Sequence, residues 1–155
     1  MFIILLAFGI GFVAGLRSMT APAAVCWAAY LDLLRLEGSP LAFMGSVVAV
    51  GIFSVLALAE LLADKVPLTP SRLRPGSLLG RIAAGALSGA CIAVSSGQSL
   101  VAGAVPGGAA AVVGALAGYH ARKNLVARLK VKDTGIALLE DGFTIGLACL
   151  ILSRL

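Results

Sequence analysis

Five apolar stretches, at about 2–30, 43–63, 79–97, 100–120 and 134–153, take up most of this chain. Crossing the hydrocarbon core of a bilayer takes about 20 consecutive apolar residues in a helix. A helix also satisfies its backbone hydrogen bonds internally, which lipid requires of any spanning segment. The pattern therefore predicts an all-α fold, a polytopic transmembrane helix bundle of about five spans. Composition agrees. Hydrophobic residues make up 60% of the chain and charged residues 12%, against about 25% charged in soluble domains. So few polar side chains cannot cover a water-facing surface. Five spans and their connections use nearly all of the 155 residues, so residues 1–155 are expected to form a single integral membrane domain.

Met1–Leu16 is apolar but lacks the cationic start of a signal peptide, since the first cation is Arg17. It is expected to be a retained span. The connections differ in charge. The loop at 64–78 carries Lys65, Arg72 and Arg74, and that at 119–133 carries Arg122, Lys123, Arg128, Lys130 and Lys132. The other two carry Arg35 and no cation. By the positive-inside rule the two basic loops are cytoplasmic, and five spans then place the N-terminus with them and the C-terminus outside, in a bacterial inner (plasma) membrane. The same asymmetry accounts for the net charge of +5, so no nucleic-acid partner is called for. The expected partners are membrane lipids, further copies of the chain and an unknown small solute or ion.

Two segments contain helix breakers. The first holds Gly15-Leu16-Arg17-Ser18-Met19-Thr20-Ala21-Pro22, where Thr20 followed by Pro22 reads as a fresh helix start with Thr20 as N-cap. The fourth holds Pro106-Gly107-Gly108, which predicts a second interruption. The similarity of Ala14–Arg17 to Ala117–His120, each leading to an acidic segment (Glu60, Glu140), suggests a weak internal repeat of inverted topology. Glycines four apart at Gly11/Gly15, Gly76/Gly80, Gly85/Gly89, Gly103/Gly107, Gly114/Gly118 and Gly142/Gly146 predict close helix packing, within the bundle or in a homo-oligomer.

Charges within the spans are the informative residues, because each costs at least about 2.5 kcal/mol at the bilayer centre. Arg17 lies deep in the first segment beside the break, with Ser18 and Thr20. Glu60 and Asp64 are one helical turn apart and share a face. Glu140 and Asp141 lie about two turns into the fifth span and point about 100° apart, so only one of them can face a given partner. The expected site is Arg17, Ser18 and Thr20 facing Glu60 and Glu140, with His120 and Arg122 below. The same charges would also serve as a structural network with Arg17 paired to Glu60 or Glu140. Arg81 and Lys65 are expected to extend to lipid headgroups.

Cys26, Cys91 and Cys149 stand apart without metal-ligand spacing, so neither a metal nor a cofactor is expected. No hydrolase, metalloprotease or phosphate-loop motif occurs, and no enzymatic activity is expected. Gly15-Leu16-Arg17, Ala59-Glu60-Leu61-Leu62-Ala63-Asp64-Lys65-Val66-Pro67 and Glu140-Asp141 together resemble a bacterial family of small polytopic membrane proteins, domain of unknown function family 4126, over essentially the whole chain. The resemblance implies the membrane class and no activity. Two functions remain open. One is a transporter or channel-like protein moving a small solute, ion or lipid headgroup through a polar interior around Arg17, with Glu60 or Glu140 taking up a proton or balancing the arginine. The other is a non-transporting scaffold or lipid-binding subunit whose charges lock the fold.

Overall fold

The computed structural model describes residues 1–63, 75–129 and 133–154, without the side chains at 122, 125–129, 133–134 and 136–137. Over these residues the fold is all-helical. The helices are α1 (Phe2–Leu16), α2 (Thr20–Tyr30), α3 (Val47–Ala63), α4 (Pro75–Ser95), α5 (Leu100–Leu129) and α6 (Asp133–Leu152), with a 3-10 turn at Ala42–Gly45 before α3.

Glycine sets the centre of the bundle. Gly11 lies against Gly107, and Gly15 against Ala111 and Gly114, so α1 and α5 run side by side in the same direction. Gly85 lies against Gly107 and Gly89 against Gly103, so α4 runs antiparallel to both. A Cβ at Gly85 would lie 2.6 Å from the Gly107 carbonyl oxygen. These three helices meet through backbone, which is how helices lacking a hydrophobic drive between them gain dispersion contact. Four of the glycine pairs read from the sequence have at least one member in these seams, whereas Gly76, Gly80, Gly142 and Gly146 have no such neighbour within 4 Å.

The first apolar segment is not one span. Arg81 of α4 reaches the carbonyls at the end of α1. Beyond the break, α2 packs back against α1 and against the same α4 and α6 that flank α1. The chain therefore doubles back within Arg17-Ser18-Met19, and α1 and α2 form a helical hairpin. α3 returns alongside α2, with the indole N–H of Trp27 donating to Ser54 Oγ at 3.0 Å. Gly9 rests on Ile151 and Arg17 on Asp141, so α6 descends along α1. The helices alternate in direction, six in all among the described residues.

Three expectations are corrected by this arrangement. An even number of passes places Met1 and Arg154 at one end of the bundle. The chain leaves α3 and α5, and enters α4 and α6, at the opposite end, so the N-terminus does not share an end with the basic connections. With α1 and α5 parallel, the inverted relation expected between the segments around Gly15 and Gly118 is not seen. The fourth segment is not interrupted either, since α5 is continuous with Pro106 inside it. Proline removes one hydrogen bond, to the carbonyl four residues back, and the rest of the helix survives. Gly107 serves packing there, being the residue at which α1, α4 and α5 approach.

The helix of α5 also continues through much of the segment expected to be a basic loop, ending at Leu129. Ala121–Leu129 contains neither Gly nor Pro, and Arg, Lys, Ala and Leu are good helix formers. At the other end of α5 the expected tight turn is present. Gly97 adopts φ +72, and its N–H and that of Gln98 donate to the carbonyls of Val94 and Ala93, a glycine C-cap of the Schellman type.

Among the described residues two helices, Pro75–Ser95 and Leu100–Ala121, are long and apolar enough to cross a membrane. Large apolar side chains are exposed on several helices, among them Val55, Leu58 and Leu62 of α3, Val105 of α5, and Leu139 and Phe143 of α6.

Candidate functional site

A helical hairpin made in three residues leaves carbonyls without partners at the end of its first helix and N–H groups without partners at the start of its second. Only one of these is satisfied locally, by the Arg17 N–H donating to the Val13 carbonyl. Four more are met by charged side chains from neighbouring helices. Arg81, 4% exposed, donates through Nη1 to the carbonyl oxygens of Gly15 at 2.7 Å and Leu16 at 2.8 Å. Glu60 of α3 accepts at Oε1 from the Ser18 N–H at 2.9 Å and the Ser18 hydroxyl at 2.7 Å, and at Oε2 from the Met19 N–H at 2.8 Å. A cation thus caps the C-terminus of α1 and an anion the N-terminus of α2, each matched to the helix dipole it faces. The two caps lie 3.8 Å apart, Arg81 Nη2 to Glu60 Oε1.

Arg17, at the tip itself, is 1% exposed and forms an ion pair with Asp141 of α6. Asp141 is buried, its Oδ2 having no hydrogen-bond partner among the described residues. The tip is therefore fastened to α3 by Glu60, to α4 by Arg81 and to α6 by Asp141.

The structure brings Arg17, Ser18, Glu60 and Asp141 together as the sequence suggests, with a different pairing. The partners expected for Arg17 were Glu60 or Glu140, and the ion pair described is to Asp141. Of the adjacent acids, Asp141 faces inward and Glu140 is half-buried. Thr20 is buried as the first residue of α2 but is not its cap. Met19 holds the N-cap position without a side-chain hydrogen bond, and the Glu60 carboxylate takes the role expected of the threonine hydroxyl. His120 is exposed and packs edge-on against Tyr119, ring centroids 5.4 Å apart, so it is not part of this cluster. Asp64, like Lys65, and the side chain of Arg122 lie outside the described residues.

The residue of this cluster that sequence reasoning misplaced is Arg81. It does not extend to headgroups. Its position two turns into an apolar helix was the available signal: a guanidinium at that depth needs acceptors from the bundle itself. Replacing Arg81 with leucine strands two buried carbonyls and removes the cation beside Glu60. We expect a loss of about 3–5 kcal/mol, the usual cost of breaking a buried charged contact, read as a lower unfolding midpoint in detergent. A midpoint within about 0.5 kcal/mol of wild type would mean that the carbonyls do not depend on Arg81.

The fold and site define a class: an all-α bundle with a short helical hairpin whose tip is held by buried charges. The chain belongs to the family described as Domain of unknown function (DUF4126), which it matches over residues 4–153. No curated protein matches it, and no solved structure does.

Proposed function

We propose that this chain is a small membrane-embedded transporter or channel-like protein, in which the charged tip of the α1–α2 hairpin handles a small solute, ion or lipid headgroup. The carrying observation is the reversal at Arg17-Ser18-Met19, held by Glu60, Arg81 and Asp141 inside an otherwise apolar bundle. Irregular backbone at membrane depth is tolerated where protein encloses it or where it lines a cavity. Intramembrane charges ordinarily mark a pathway or a proton relay. Among the described residues Asp141 Oδ2 has no hydrogen-bond donor. The apolar side chains exposed on α3, α5 and α6 are those a lipid-facing surface requires.

In this reading α1, 15 residues or about 22 Å long, is too short to cross about 30 Å of hydrocarbon. The hairpin enters from the end that holds both termini and turns back inside. Its tip lies about two turns short of the end of the apolar part of α5, since Gly15 meets Ala111 and Gly114 and that part ends at Ala121. The basic connections make the opposite end cytoplasmic, so both termini face outward.

The test is flux into proteoliposomes, using protons, chloride and inorganic phosphate as probes. Wild-type protein is expected to carry at least one of them above empty vesicles. Arg17→Ala and Glu60→Gln proteins that insert normally are expected to lose about 90% or more of that flux, as removal of a buried pathway charge should. Unchanged flux in both variants would overturn the reading. A scaffold whose charges only lock the fold is the second reading, favoured by the internal capping of both helix ends. It predicts no flux in the wild type.

A further inference from the structure

Glu60 is the carboxylate at the tip that accepts from backbone N–H groups as well as lying beside a cation. Every contact described for it comes from a donor: the N–H groups of Ser18 and Met19, the Ser18 hydroxyl, and the Arg81 guanidinium at 3.8 Å. A carboxylate is an acceptor only and suits such a site, whereas a protonated carboxyl carries a donor of its own. The Ser18 hydroxyl can turn to accept that proton, but the two backbone N–H groups cannot. Protonation also removes the negative charge from the N-terminal end of α2 and from beside Arg81. Asp141, by contrast, has its described contact with the Arg17 guanidinium.

The side chain of Glu60 is also less enclosed, 13% exposed against 8% for Asp141. It stands one turn from the end of α3, at the basic end of the bundle. A proton from water therefore has a shorter way to Glu60 than to the Arg17–Asp141 pair. Among the described residues, the charged groups nearest the tip besides Glu60 are Arg81 on α4, Arg17 on the tip, and Asp141 and half-buried Glu140 on α6. α5 carries Tyr119 and exposed His120 beyond Gly118.

We propose that Glu60 is the proton-binding group of the hairpin tip: as a carboxylate it fastens the tip to α3, and on taking up a proton at Oε1 or Oε2 it lets the tip go. The proton comes from water at the basic end and returns there, or leaves by the other side once the tip has moved. The latch itself rests on the geometry around Glu60. Its role as the coupling site for a proton rests on the transport reading above.

Hydrogen–deuterium exchange of the whole protein in lipid nanodiscs tests the latch without any flux measurement, so it can fail or hold independently of transport. The quantity read is the protection of the Gly15–Pro22 amides, corrected for intrinsic exchange and divided by that of Leu100–Ala121. Measurements between about pH 2.5 and pH 8 bracket the range in which glutamates ordinarily titrate. We expect tip protection to fall about tenfold or more as the pH is lowered, while α5 is unchanged, since charge-assisted bonds to three donors are lost. Glu60→Gln should show the low protection at every pH. Wild-type tip protection that tracks α5 throughout would overturn the proposal, as would a Glu60→Gln tip as protected as wild type at high pH. Should Glu60→Gln lose α5 protection as well, the variant is unfolded and the wild-type pH series decides alone.

Discussion

Replacing Gly107 with valine is expected to abolish the folded bundle. Gly107 is where three helices meet. A Cβ placed there would run into the carbonyl oxygen of Gly85 on α4 and come within 3.2 Å of the Gly89 Cα, while Gly11 of α1 already lies against the Gly107 backbone. Overpacking an ordinary core costs about 1–3 kcal/mol, because side chains shift to make room. Here the obstacle is backbone, and shifting it separates α4 from α5 along their whole seam. The cost should exceed about 4–5 kcal/mol, the range reserved for exceptional core lesions, which is a large part of what a small domain has. Size-exclusion profiles and unfolding midpoints in detergent check this. Gly142→Val is the matched control, since a Cβ at Gly142 has no such neighbour within 4 Å, and it should stay within about 0.5 kcal/mol of wild type. Equal midpoints for the two variants would show that the glycine seam does not hold the bundle.

That contrast between Gly107 and Gly142 also marks what the sequence could say. Glycines four apart announce close packing, but the spacing is identical in a seam and on an outer face, so only three dimensions separate Gly103/Gly107 from Gly142/Gly146. The ends of the second, third and fifth apolar segments were legible to within a few residues, whereas the first holds two helices and α5 runs on to Leu129. The break at Arg17–Met19 was legible too, from Gly15, Pro22 and a charge in mid-segment. Its consequence was not. A kink within one span and a full reversal use the same breakers, and the difference lies in whether other helices satisfy the freed backbone groups. Arg81 and Glu60 do so from 65 and 42 residues away, separations that no local pattern reaches. Misreading the reversal as a kink then moved the N-terminus to the wrong end. Arg17, Glu60 and Asp141 were legible as charges out of place in apolar helices, whereas Arg81 was read as a headgroup contact. The partner of Arg17 was not legible, because Glu140 and Asp141 are adjacent and helix phase decides which one faces inward.

The ion pair between Arg17 and Asp141 separates stability from function more cleanly than any other contact here. Each partner is buried, so Arg17→Ala leaves a carboxylate and Asp141→Ala a guanidinium in a low-dielectric interior. Either change should cost about 3–5 kcal/mol, most of it the penalty for the charge left behind. Replacing both by apolar residues of similar volume, Arg17→Met with Asp141→Leu, removes two desolvation penalties together with the attraction between the two charges. Such replacements elsewhere are often neutral or stabilising by about 1–4 kcal/mol, so the double variant should be more stable than either single one. A double-mutant cycle of unfolding midpoints in detergent gives the coupling, and singles within about 1 kcal/mol of wild type would mean the pair is not buried in solution. The double variant then discriminates function. If the charges only fix the position of the tip, a stable double variant retains whatever flux the wild type shows. If Arg17 meets the transported species, the protein is stable and the flux is gone. Arg81 and Glu60 still cap the two helix ends in that variant, so the hairpin remains folded and the loss can be assigned to the missing charge.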